Sequence, residues 1–200
     1  MKNKEPVIEL IFPKPVYIID DLIDENKLTL MENDVKNFVR KNKAVTYEHF
    51  KVLSTDRTND QMHKEPEFKE LSEAILKNVK NFMTALEYPE KFINECKFNN
   101  MWTNISQEND FVFPHHHMTF DKCIISGVFY VKSPPEAKIW FYKNHQIPTI
   151  KSHKYNHMTF EEYYFESEQN RLILFTSDFM HGNKTQPKGE KIAISFNVEY

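Results

Sequence analysis

Glycine is scarce in this chain, with three residues in 200, and cysteine scarcer still, at Cys96 and Cys123 alone. So little glycine, beside 40% hydrophobic, 28% charged and 14% aromatic residues, excludes low-complexity and disordered classes and leaves an ordinary globular composition. Neither cysteine has a partner at metal-site spacing, the start carries no secretory signal and no long apolar run occurs. The expectation is a cytoplasmic protein with reduced thiols and no membrane span. Excess charge is lacking too. Lys and Arg number 26 against 29 Asp and Glu, a formal net charge of -3, and nothing there asks for a nucleic-acid partner. There is no internal repeat, and the length suits one domain, residues 1–200, with one core.

What is present is an ordered succession of patterns. Residues 7–19 are β-branched and aromatic, interrupted at Pro13-Lys14-Pro15, as in an edge strand. Asp24 is a fair N-cap for a helix whose buried stripe is Leu28, Met31, Val35, Phe38 and Val39, ending near Lys41. A short strand around 47–53 and a polar loop over 54–60 follow. Pro66 opens a second helix, with Phe68, Leu71, Ile75, Val79, Phe82, Met83 and Leu86 on one face before Pro89 stops it. Beyond Pro89 the chain turns strand-like, near 95–105, 123–131, 138–142, 163–167, 171–177 and 191–198. Two helices followed by many short strands predict an α+β, mainly β fold, a jelly roll of the cupin sort backed by the two N-terminal helices. The stretch 143–163, with His145, His153 and His157 and little periodicity, is expected to be either a binding lid or a mobile segment.

The chemistry concentrates in residues 113–131. His115 and His117 stand two apart, so on an extended strand they share a face while His116 points away. Two imidazoles on one face are two nitrogen ligands for a first-row metal. His181, four residues after a buried-type strand and just before a Gly-Asn turn signal, is the best-placed third ligand. The bland alternative is polar residues clustered in loops, which nine histidines permit. In the run 191–197, Ile192, Ile194 and Phe196 alternate with Lys191, Ala193, Ser195 and Asn197. That second face ordinarily meets solvent. If it lines a barrel instead, Lys191 points into a cavity and needs an anion, which a dicarboxylate would supply. Tyr130, on a neighbouring strand, is placed to reach the same carboxylate.

In order along the chain stand Trp102-Thr-Asn104, His115-x-His117, Ser126-Gly-Val-Phe-Tyr130-Val, Leu172-Ile-Leu-Phe-Thr-Ser177 with His181, and Glu190-Lys191-Ile-Ala-Ile-Ser-Phe-Asn197. This set resembles the 2-oxoglutarate- and Fe(II)-dependent oxygenases of bacteria and tailed phages, within the prolyl-hydroxylase-like superfamily. The opening Leu10-Ile-Phe-Pro-Lys-Pro-Val-Tyr17 resembles their start. The resemblance implies a double-stranded β-helix and a hydroxylase that couples O2 and the oxidative decarboxylation of 2-oxoglutarate to oxidation of a substrate. It implies Fe(II) held by the first histidine motif and the distal histidine. The superfamily usually has aspartate as second ligand; here His117 stands in that place, and Asp121 is the alternative carboxylate. Lys191 stands where the superfamily carries the basic residue for the far carboxylate of 2-oxoglutarate. Relatives more often have arginine there, and lysine lacks its bidentate fork, so the expectation is either a lower co-substrate affinity or a contact that leans on Tyr130. Asn104 and Asn197 are further pocket residues. Thr176 sits where relatives often have proline and Asn170 where they often have a turn glycine, and asparagine tolerates the left-handed conformation that turn needs. Two readings compete: a non-catalytic jelly-roll module, phage structural or carbohydrate-recognising, and a cupin-like metal enzyme that uses no keto acid. The sequence names no primary substrate.

Overall fold

The computed structural model describes residues 13–47, 51–117, 122–143, 154 and 160–200. Asp24 caps the first helix as its position dictates, its carboxylate accepting the Asn26 backbone N–H at 2.9 Å, and α1 (Glu25–Lys41) buries Leu28, Met31, Val35, Phe38 and Val39. A 3-10 turn over Pro66–Phe68 leads into α2 (Lys69–Ala85), which buries Leu71, Ile75, Val79, Phe82 and Met83. α2 ends before Pro89, in a turn with Leu86 as C-cap and Glu87 at φ 56°, and Pro89 instead N-caps a short helix, α3 (Glu90–Glu95). The sequence pattern does not reveal α3, because six residues hold less than two turns and no amphipathic repeat.

The strands are β1 (Val16–Ile19), β2 (Val45–Thr46), β3 (Leu53–Ser54), β4 (Lys97–Ser106), β5 (Val112–His115), β6 (Cys123–Lys132), β7 (Lys138–Tyr142), β8 (Glu162–Glu166), β9 (Leu172–Thr176), β10 (His181–Asn183) and β11 (Lys191–Glu199). They form a seven-stranded sheet, β1-β9-β6-β11-β4-β3-β2, and a four-stranded sheet, β5-β10-β7-β8. From β4 onward the chain alternates between the sheets and turns back at the antiparallel β7–β8 pair, which is the double-stranded β-helix, or jelly-roll, winding.

Two apolar layers result. On the outer face of the large sheet Ile125, Phe129, Leu174, Ile192, Ile194 and Phe196 pack with the helical stripes. Between the sheets lie Val128, Tyr130, Ile139, Phe141, Ile173, Phe175 and Ala193. The alternation along β11 is thus used on both faces. Ile192, Ile194 and Phe196 meet the helices, while Lys191, Ala193, Ser195 and Asn197 line the space between the sheets rather than solvent.

Two local expectations change. Of the strand expected around 47–53, residues 48–50 lie outside the described residues, and on either side stand two-residue strands, β2 and β3, the second of which pairs with β4. The Gly182-Asn183 pair, a turn signal in the sequence, lies within β10. Glycine serves close approach there: a Cβ on Gly182 would stand 2.7 Å from the Val112 carbonyl oxygen of β5. Gly182→Ala is expected to cost about 1–3 kcal/mol of stability and to push His181 away from His115. Thermal melts, paired with metal titration of the variant, check both effects.

Scarcity of glycine has its counterpart in the turns, where Asp21, Lys43, Lys51, Glu87, Asn109, Glu136 and Asn170 all take positive φ. Asn170, at φ 63°, holds the left-handed turn anticipated for it. Its side-chain amide donates to the Ile23 carbonyl at 2.7 Å and accepts the Ile23 N–H at 3.1 Å, tying the segment before α1 to the sheet. Asn170→Gly keeps the conformation and loses both bonds, an expected loss of about 2 kcal/mol or roughly 4–8 °C in Tm, read by calorimetry. Among the described residues no helix is long and apolar enough to cross a membrane.

Candidate metal centre and co-substrate cavity

β5 delivers His115 as its last residue, so the extended strand assumed for the histidine pair stops one residue in. His117 is placed by a different device: its backbone N–H donates to the Ser177 carbonyl at 2.9 Å, pinning the chain to the end of β9. His116 is exposed, as the alternation requires. His181 opens β10, in register with His115 on one side and Phe141 of β7 on the other. The three rings converge, with centroids 4.5 Å apart for His115 and His181 and 5.1 Å for each pair involving His117. One nitrogen from each lies within 4.8 Å of the others.

Hydrogen bonds fix the tautomers of two of them. His115 Nδ1 is 2.9 Å from the Phe113 carbonyl oxygen and His181 Nδ1 is 2.8 Å from that of Phe179. A carbonyl only accepts, so each Nδ1 carries the proton and each Nε2 the lone pair. The Phe179 carbonyl is itself held in a turn, in which Phe179 N–H donates to the Thr176 carbonyl and the Thr176 hydroxyl to Asp178 at 2.6 Å. Lys14 closes the far side of that turn, 2.7 Å from the same carboxylate. Burial, with the neighbouring imidazoles adding to it, lowers the pKa of His181 well below its ordinary value and that of His117 to about 3. Burial lowers His115 as well. All three are therefore neutral near pH 7 and offer lone pairs without first losing protons, a donor set that fits a first-row divalent ion. Asp121, the alternative to His117, lies outside the described residues, as do His145, His153 and His157.

Beside the histidines a cavity of about 370 Å³ lies between the sheets. Lys191 lines it, 2% exposed, with no ion-pair or hydrogen-bond partner among the described residues, and burial alone pulls its pKa down to about 8. Its surroundings sharpen the contrast: Lys36 and Lys132 share the carboxylates of Glu32 and Glu190, at 2.7 to 3.3 Å, whereas the next residue after Glu190 has none. Tyr130 is buried in the same wall, and burial pushes its phenol up, so it stays a neutral donor.

Asn104 donates to the Ser195 hydroxyl at 3.2 Å. Asn197 accepts from Ser126 at 2.7 Å and donates to Asn100 at 2.8 Å. Because the Ser126 hydroxyl is spent on Asn197, the Ser177 hydroxyl is the donor across the 2.9 Å contact between the two serines. Asn197 thus braces a wall of four polar residues. Sequence reasoning missed Ser126, Ser177, Asn100 and Trp102 as parts of the site. The alternation Asn100, Trp102, Asn104, Ser106 along β4 was the available signal, but it tells nothing until the cavity face is known. Tyr47, Asp56, Asp60 and Trp102 also line the cavity.

Residues 100–197, which carry all of these histidines and Lys191, match the family model described as "Putative 2OG-Fe(II) oxygenase". The match spans 98 of the 200 residues and gives residues 100–197 the character of an oxygenase of this kind. Solved structures similar to the oxygenase include a prolyl-4-hydroxylase of Pseudomonas putida, at TM-score 0.64 and 9% identity over 92% of this chain and 91% of that one. A prolyl hydroxylase of Trichoplax adhaerens, in complex with a hypoxia-inducible-factor peptide, matches at TM-score 0.66 and 12% identity over 92% and 83%. HygX of Streptomyces hygroscopicus, with nickel, 2-oxoglutarate and hygromycin B bound, matches at TM-score 0.63 and 8% identity over 93% and 83%. At such identities the likeness to the oxygenase is one of fold, the double-stranded β-helix. No curated protein matches the sequence of the oxygenase.

Proposed function

We propose that the oxygenase holds Fe(II) through His115, His117 and His181, and 2-oxoglutarate with its far carboxylate on Lys191 and Tyr130, to hydroxylate a substrate admitted to the part of the cavity lined by Tyr47 and Trp102. The observation that carries this is the buried ammonium of Lys191, without a partner among the described residues, in the same cavity as three neutral imidazoles. A non-catalytic jelly-roll module, or a metal enzyme without a keto acid, has no use for an uncompensated cation there, and such a cation is costly to bury.

Bound Fe(II) and 2-oxoglutarate supply the oxidising chemistry, with O2 consumed and the keto acid leaving as succinate and CO2. The chain supplies the rest. Lys191 pairs with the far carboxylate and keeps its proton while that anion is present, and the Tyr130 hydroxyl donates to the same group. The carbonyls of Phe113 and Phe179 stop His115 and His181 from swivelling. The rings of Phe175 and Phe141, 4.5 and 6.3 Å from that of His181, keep water from its inner side. The reading includes a cytoplasmic location, supported by the free thiols of Cys96 and Cys123. Iron content and succinate formation of His117→Ala and Asp121→Ala, measured separately, test the ligand set. Loss of both is expected in the first alone; iron lost in the second and kept in the first would reverse the assignment.

A further inference from the structure

We infer that Trp102 is a positioning residue for His117, fixing by ring stacking the one ligand imidazole that no hydrogen bond fixes. The inference rests on the reading of His117 as a metal ligand. His115 and His181 are each locked through Nδ1 to a backbone carbonyl two residues earlier. His117 makes no side-chain hydrogen bond among the described residues. Its backbone N–H is tied to Ser177, which sets the Cα but leaves both side-chain torsions to be chosen.

What constrains them is a column of rings. The His117 imidazole stacks with the Trp102 indole, 6.0 Å away at 28°, and with the His181 imidazole, 5.1 Å away at 12°. Offset stacking at such separations favours near-parallel planes, and so sets the direction in which the ring presents its nitrogens.

Trp102 is suited to this because its backbone is held within a sheet. It sits in the middle of β4, in register with Ser195 of β11. The residues two before and two after it are bonded across the sheet, Asn100 to Asn197 and Asn104 to Ser195. A rigid strand thereby carries the indole face against the ligand. The same face gives a physical reason for histidine at position 117, since an imidazole can use a stacking surface and a carboxylate cannot.

Co(II) titration of the chain, with Co(II) as a visible stand-in for Fe(II), tests the inference in Trp102→Leu, Trp102→Phe and His117→Ala. Loss of an outer partner of a ligand typically weakens metal binding about 10- to 100-fold, and that loss is expected in Trp102→Leu, together with an altered d–d spectrum of the bound ion. Trp102→Phe, which keeps a ring face, is expected to recover most of the affinity and the parent spectrum. A purely structural role would lower the melting temperature of the metal-free chain and leave the Co(II) spectrum unchanged. That result, or a Phe variant no better than Leu, overturns the inference. Should Trp102→Leu fail to fold, Trp102→Met takes its place with the same two outcomes. The two failures are separable: unchanged Co(II) binding in His117→Ala sinks the ligand reading. Binding lost there and kept in Trp102→Leu sinks only the positioning role.

Discussion

Lys191→Met is expected to make the metal-free protein more stable and to abolish its use of 2-oxoglutarate. Both effects have one cause. The ammonium is buried without a partner among the described residues, and its pKa falls from 10.5 to about 8. The folded state therefore binds this proton less readily than the unfolded chain does, and the penalty is present in full below pH 8. It fades as pH rises from about 8 to 10.5, where the unfolded state holds the extra proton. Each tenfold loss of proton affinity on folding is worth about 1.4 kcal/mol, so the cost at neutral pH is on the order of 3 kcal/mol. Methionine removes it at nearly the same volume, so Tm at pH 7 rises by several degrees. The gain over wild type should shrink toward pH 10. Co-substrate binding moves the other way, because a buried carboxylate left without its cation costs roughly 3–5 kcal/mol, so affinity falls about 100-fold or more. In wild type the affinity should also drop about tenfold per pH unit above 8, as the free protein must then take up a proton to bind the anion. Calorimetric titration of 2-oxoglutarate into Zn(II)-loaded protein at several pH values reads the last two effects, and thermal melts read the first.

The second large effect belongs to His181. This proposed ligand is both anchored through Nδ1 and flanked by two phenylalanine rings, and it pairs in register with His115. His181→Ala removes a direct ligand, and the expected loss of iron affinity exceeds the roughly 10- to 100-fold that an outer partner is worth. Turnover should fall to background. His116→Ala, one residue from each of two ligands but exposed, should keep iron and activity near wild type. Metal analysis after dialysis, alongside succinate yield, distinguishes the two variants. Equal losses in both would mean that the loop as a whole, and not the inward imidazoles, makes the site.

The fold was legible wherever a long element had one buried face. The stripe from Leu28 to Val39 is buried residue for residue, and the alternation of β11 separated the helix-facing Ile192, Ile194 and Phe196 from Lys191 before any strand order was known. Short elements were not legible: α3 and β10 are too brief to show a period, and Gly182 read as a turn because composition does not tell a bend from a close approach of two backbones. Of the site, the histidines and Lys191 were found as residue types whose chemistry is rare on one face. Asn197 was also found, but Trp102, Ser177, Ser126 and Asn100 were missed, because small polar and aromatic residues on a strand carry the same pattern whether they meet solvent or a cavity.

Anaerobic addition of Fe(II) and 2-oxoglutarate to the purified chain is the most direct measurement. A weak visible charge-transfer band requires the keto acid to chelate the same iron that the histidines hold. The band is expected with both additions together and with neither alone, absent in His181→Ala, and lost in Lys191→Met at concentrations that saturate wild type. No band from the iron-loaded wild-type chain at saturating 2-oxoglutarate would contradict the proposed site.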